Sequence, residues 1–279
     1  MIKIDRSKGV EPATLGAAAA LEIAENKARV EQGITRKNKL KFTAYSDAAV
    51  KVELIKIFGR KCCYCESLLK GTQRSAIEHY RPKASLRIAK ADGTYESRIG
   101  YYWLGGDWDN FLISCSDCNS TITHEHQDGG TAVSGKGTYF PIMVEEQRAT
   151  CPDEVLREQP ILLNPCVDEP SEHIYFSEDG TVHALELGGV RSLRGAGTIE
   201  LIGLHRSELV QMRARHRYIV ISAIRHTVRA MEEGCDPGAD LEDLLRLLKP
   251  GEPYLAYTHM LVRNYMEDYL EMLGLDEIM

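Results

Sequence analysis

Two cysteine pairs, Cys62-x-x-Cys65 and Cys115-x-x-Cys118, stand with 49 residues between Cys65 and Cys115, and nothing else in the chain constrains its fold as tightly. A C-x-x-C turn aims both sulfurs one way, and on a helix Cys115 and Cys118 share a face through their i, i+3 spacing. Two such pairs are the pattern of one tetrahedral zinc site built from Cys62, Cys65, Cys115 and Cys118, with Cys63 outside the spacing as a bystander. The bland alternative is four buried thiols without metal. Closing the site would tie the start of a hairpin to the start of a short helix near Asp117, a rigidity that so small a module could not draw from its own core. Four thiolates leave no open position, so a zinc ion here is structural.

Composition decides how the thiols are read. Of 279 residues, 43% are apolar and 27% charged, ordinary values for a soluble globular protein of one large domain or two small ones. No run approaches the roughly 18 apolar residues needed to span a bilayer, and Met1-Ile2-Lys3-Ile4-Asp5 lacks signal-peptide character. A cytoplasmic protein with no membrane partner is therefore expected. Thiols stay reduced there, which makes the eight cysteines metal ligands or small buried residues rather than disulfides. Cys151, Cys166 and Cys235 are expected to be of the buried kind. The net charge of −7 argues against a free-standing, high-affinity nucleic-acid binder. From Arg60 to Lys90, however, eight basic residues stand against only Glu66 and Glu78. That segment is locally basic, while the acidic remainder suits solubility or docking of a partner.

The elements point to the α+β class in three parts: an N-terminal arm (1–44), the module carrying the cysteine frame (45–145), and a linker hairpin with a helical C-terminal region (146–279). Ala17-Ala18-Ala19-Ala20 gives the arm helical character. The apolar spacing from Tyr45 to Phe58 fits a helix with Ser46 as N-cap and Gly59 as stop. Lys70-Gly71 and Asp92-Gly93 are turn signals between hairpin strands, and Gly129-Gly130 to Gly135-Lys136-Gly137 reads as a mobile loop. Ile174-Tyr175-Phe176, turning at Asp179-Gly180 into Thr181-Val182-His183-Ala184, reads as a hairpin. From Thr198 to near Gly234 the spacing is helical throughout, and two more helices are expected over 239–248 and 253–273.

Inside the cysteine frame sits Ile77-Glu78-His79-Tyr80-Arg81-Pro82-Lys83. Phosphodiester hydrolysis needs a base for the water and a cation at the scissile phosphate. His79 suits the base, because its reference pKa lies near working pH. Glu78 and the side-chain carbonyl of Asn119 are hard oxygen donors suited to Mg2+ or Mn2+. Neighbours on a regular strand point to opposite faces, so Glu78 and His79 share a site only if the strand ends or bends, as Pro82 suggests. Asn110, in Trp108-Asp109-Asn110-Phe111-Leu112, is expected to bridge its loop by hydrogen bonds, and Asp109 is a possible N-cap. Arg81 and Lys83 are phosphate contacts or solvated charges. His124 and His126 read as exposed loop histidines that could otherwise add a ligand or a rim. Tyr101-Tyr102-Trp103 and Trp108 read as core aromatics, with base stacking as the alternative.

On these residues the chain resembles an HNH endonuclease of the ββα-metal type. The resemblance implies a ββα-metal core stapled by the four cysteines, with His79 as general base and Glu78 and Asn119 as ligands of the catalytic cation. It makes Asn110 the residue that orients the loop. The usual doublet begins with Asp where Glu78 stands, and the lysine that many relatives carry shortly after Asn119 is replaced by Thr121, Ile122 and Thr123. Taken with Met1-Ile2-Lys3-Ile4-Asp5-Arg6, Leu162-Leu163-Asn164-Pro165-Cys166 and Thr198-Ile199-Glu200-Leu201-Ile202-Gly203-Leu204, the chain looks like the HNH subunit of Septu-type and retron-linked antiphage systems. That resemblance implies a nuclease on nucleic acid, DNA ahead of RNA, working with an ABC-type ATPase partner. The competing expectation is a zinc-stapled binding or adaptor module without catalysis.

Overall fold

Small antiparallel ribbons interleaved with helices make up the computed structural model, so the class is α+β. The structure describes residues 1–69, 76–90, 92–126 and 129–276. The Lys70-Gly71 turn lies outside the described residues.

Helix α1 (Ala13–Glu31) is much longer than the alanine run suggested, and buries Leu15, Ala19, Glu22 and Asn26 along one stripe. Two of these are polar, and they strap the following segment. Glu22 Oε2 accepts the backbone N–H groups of Thr43 and Ala44, while the Asn26 side chain pairs with both backbone groups of Lys41. Helix α2 (Ala48–Phe58) ends at Gly59, whose φ of 63° is the left-handed stop that glycine favours. Its cap is Asp47, which accepts from the Ala49 N–H, and not the expected Ser46.

Strand β1 (Ala76–His79) pairs with β4 (Phe111–Ser114), from Ala76 opposite Ser114 to His79 opposite Phe111. Between them lies the hairpin of β2 (Ser85–Ala89) and β3 (Tyr95–Ile99), turned at Asp92 and Gly93. The chain leaves β4 directly into the short helix α3 (Ser116–Asn119). Next come β5 (Ile122–Glu125) and β6 (Thr131–Ser134), which pair with each other. The glycine-rich stretch expected to be a mobile loop is thus partly strand. Its end, Gly135 to Gly137, is zipped to the carbonyls of Leu201, Cys118 and Asn119. Both glycines have positive φ, and a Cβ at Gly135 would run into the Ser120 carbonyl.

The C-terminal part carries β7 (Ile174–Phe176) with β8 (Val182–Ala184), and β9 (Glu186–Leu187) with β10 (Val190–Arg191). The helices are α4 (Leu193–Ile202), α5 (Ser207–Glu232), α6 (Gly238–Leu247) and α7 (Leu255–Met266). The single helix expected from Thr198 onward is therefore two. Gly203 breaks it with φ 68°, seated where a side chain would strike the Ser134 hydroxyl. Two-stranded ribbons are marginal alone, and here they share one apolar cluster with the helices, running through Leu54, Phe58, Phe111, Phe140, Leu163, Ile202 and Leu261. Among the described residues, no helix is long and apolar enough to cross a membrane.

Candidate functional site

Helix α3 joins two centres one residue apart. On one side, the ligand atoms of Cys62, Cys65, Cys115 and Cys118 lie within 4.8 Å of one another, all buried. The Cys65 and Cys115 sulfurs are 3.8 Å apart, which matches the edge of a tetrahedron with metal–sulfur bonds of about 2.3 Å. The group could hold a metal such as zinc. Cys63 is buried but lies outside the group, its N–H bonded to the Ile113 carbonyl, which helps hold the knuckle against β4. Of the other cysteines, Cys151 and Cys166 are half-buried and Cys235 is exposed, so the last departs from its expected burial.

Arg206 completes this centre, and no motif pointed to it. It is buried at the α4–α5 break, with Nη2 3.7 Å from Cys118 Sγ and Nη1 on the Gly203 carbonyl. Burial opposes its charge, but the neighbouring Cys118 and Cys65 sulfurs outweigh that and raise its pKa. A guanidinium there offsets the excess negative charge that four thiolates would place on a divalent ion.

On the other side of α3, Glu78, His79, Lys83, Asn119 and Lys136 line one cleft of about 380 Å³. Both residues of the doublet lie within β1, Glu78 opposite Leu112 and His79 opposite Phe111, and both line the cleft. His79 Nε2 lies 3.0 Å from the Gly105 carbonyl, which can only accept, so Nε2 carries the proton and Nδ1 keeps its lone pair. That lone pair meets Lys83 Nζ at 3.0 Å. Burial first, then the Lys83 ammonium, drives the His79 pKa down to about 3, which leaves the imidazole neutral. Tyr45 and Phe111 hold the ring edge-on, at centroid distances of 4.8 and 5.1 Å. Burial also lowers Lys83, to about 8, with Glu78 opposing.

Glu78 is 5% exposed, and Lys136 Nζ sits 2.5 Å from its Oε1 and 2.8 Å from the His79 carbonyl. Burial raises the Glu78 pKa against the pull of Lys136. Lys136 was missed because it stands 57 residues from His79; its only signal in the sequence is the pair of flanking glycines. Asn110 stands behind the cleft, not in it. Its Oδ1 accepts the Arg81 N–H at 2.7 Å, and its Nδ2 donates to the carbonyls of Arg81 and Leu104, both at 3.0 Å. Arg81 is not brought to the cleft: Nε bonds the buried Glu158 at 2.8 Å, and the guanidinium lies over Phe140. Asp109 is exposed and pairs with Arg6, while Asp107 provides the cap. His124 and His126 are half-buried at and beside β5, with His126 packed edge-on against His205, and neither is a loop histidine in solvent. Tyr101 is buried, and it lines a second cavity with Tyr102 and Trp103.

No family model matches the chain. The Septu protein PtuB of Bacillus mycoides (strain KBAB4) is 40% identical over 218 residues, which are 77% of this chain and 66% of that protein. The chain resembles a Septu-type defence subunit. The Septu protein PtuA of the same organism is 30% identical over 159 residues, 57% of this chain but 19% of PtuA. The chain thus covers just under two thirds of the PtuB relative and about a fifth of the PtuA relative.

Proposed function

We propose that the chain is the nucleolytic subunit of an antiphage defence complex, a metal-dependent HNH endonuclease that hydrolyses phosphodiester bonds in nucleic acid. The observation that carries this reading is a neutral histidine whose lone-paired nitrogen, held by Lys83, lines the same cleft as a glutamate and an asparagine. The order β1, β4, α3 supports the ββα reading, and the likeness to PtuB supports the defence context.

His79 Nδ1 takes the proton of the attacking water, while Nε2–H on the Gly105 carbonyl fixes the tautomer. Lys83, whose ammonium occupies that nitrogen at 3.0 Å, would leave it to pair with a phosphate oxygen of the bound substrate, freeing the lone pair for the water. Asn110 braces the backbone that carries both. Glu78 and Asn119 would hold Mg2+ or Mn2+; two protein oxygens fit an ion that keeps most of its waters. Such an ion supplies Lewis acidity at the phosphoryl and leaving oxygens. The four cysteines would hold zinc as a staple only. We take the substrate to be DNA ahead of RNA. The net charge of −7 assigns grip on the polymer to a partner, which we take to be an ABC-type ATPase.

Purified His79→Ala should lose cleavage by about 100-fold or more, with zinc content and circular dichroism unchanged. Cleavage at the wild-type rate overturns the assignment. One observation favours a non-catalytic adaptor instead: the Glu78 carboxylate is already matched by Lys136. Nicking of plasmid by the complex in Mg2+ or Mn2+, abolished by EDTA, separates the two readings, because an adaptor binds without cutting.

A further inference from the structure

Lys136 is 1% exposed, and burying an ammonium is costly unless partners compensate it. The fold forces it in. Its N–H donates to the Cys118 carbonyl at 2.9 Å, and the Gly137 N–H donates to the Asn119 carbonyl at 2.7 Å. Gly135 fits only because it lacks a Cβ. The lysine backbone is thereby fastened to the end of α3, and its side chain is delivered to an oxygen-lined seat made by Glu78 Oε1 and the His79 carbonyl. An oxygen-lined seat beside a carboxylate is what a hard cation requires.

We propose that Lys136 is a tethered stand-in for the catalytic cation, filling the seat at Glu78 in the resting protein and withdrawing when a divalent ion binds. This rests on the reading of Glu78 as a cation ligand. An ammonium 2.5 Å from Oε1 and a divalent ion on the same oxygen repel strongly in a buried site, so the two exclude each other. While seated, Lys136 compensates the buried carboxylate and keeps the metal-free cleft folded. The same contact weakens the affinity for divalent ions and sets a threshold for loading. Lys136 is thus a positioning residue that competes with the ion, and the room it needs on leaving lies in the cleft it lines.

Mn2+ binding to the full chain, followed by electron paramagnetic resonance and calorimetry, tests this without reference to cleavage. Lys136→Met, neutral and of similar length, should tighten Mn2+ binding by about tenfold, whereas Lys136→Arg should not. Glu78→Gln should abolish binding at this site. If Glu78→Gln abolishes binding while Lys136→Met leaves it equal or weaker, the stand-in role is overturned and the cation site survives. If Glu78→Gln has no effect, the ligand assignment itself falls, and the stand-in with it. Should Lys136→Met lose its zinc or its fold, the wild-type chain decides. The slowly exchanging 15Nζ signal of the buried lysine should shift or broaden on saturation with Mg2+, and an unmoved signal overturns the proposal.

Discussion

The thiol centre and the oxygen cleft sit on the same short helix, on Cys118 and Asn119, yet they are built on opposite logic. In the first, four like side chains converge on one point, and a charged partner contributed from afar is complementary to them, Arg206 at 3.7 Å from Cys118. In the second, the groups proposed to react are already engaged: His79 by Lys83, and Glu78 by Lys136. A staple needs ligands that agree. A reacting site needs groups held in check until something replaces their partners. The contrast explains how one helix serves both centres: the sulfurs of Cys115 and Cys118 fix it from one side, and the carbonyls of Cys118 and Asn119 anchor the loop that brings in Lys136.

The largest effect should come from breaking the staple. Cys115→Ser leaves three sulfurs around a site that lies wholly in the core, and the cleft depends on β4 and α3 keeping their places. Loss on the order of 5–10 kcal/mol is expected, read as an unfolded or aggregated chain without zinc. A folded Cys115→Ser variant that retained its metal would mean that the two centres are independent, contrary to the comparison.

How much of this was legible in the sequence follows the same division. The cysteine frame could be read because metal geometry imposes a short spacing on each pair, and spacing is written in the chain itself. The Gly59 stop and the turns at Asp92-Gly93 and Asp179-Gly180 could be read because each is decided within a few residues. Lys136, Arg206 and Glu158 could not, because each acts on a group tens of residues away, and a lone charged residue has no period or spacing of its own. The break between α4 and α5 was missed for a related reason. An apolar rhythm continues across Gly203 and hides its left-handed stop, and the close approach of Ser134, from a distant strand, adds a reason for glycine that no local pattern carries. Cap placement failed by one residue at Ser46 because Asp47 satisfies the same rule.

A smaller effect separates the centres by pH. The His79 pKa is depressed from 6.5 to about 3 by burial and Lys83, so its contribution to stability is present above pH 6.5 and lost as pH falls toward 3. Between pH 6.5 and 5, wild type should lose up to about 1.4 kcal/mol per pH unit relative to His79→Gln, which cannot take up the proton. Urea unfolding at several pH values measures the difference. Parallel curves for the two proteins would place the acid sensitivity in the thiols rather than in the cleft.

An effect of similar size concerns the brace behind His79 and Lys83. Asn110 donates to two carbonyls and accepts one N–H, all on the segments that carry Arg81 and Leu104. Gly105, whose carbonyl fixes the His79 tautomer, follows Leu104 directly. Asn110→Ala strands those groups and should cost about 1–3 kcal/mol of stability. Because the Gly105 carbonyl would then drift, cleavage should fall by more than the stability loss alone explains, while zinc content stays full. Asn110→Asp keeps the acceptor for the Arg81 N–H but loses both donations, to the Arg81 and Leu104 carbonyls, so it removes the donor half of the brace, including the bond next to Gly105. If Asn110→Asp cuts like wild type, the imidazole is held by its aromatic neighbours Tyr45 and Phe111, and the loop serves the fold rather than the base.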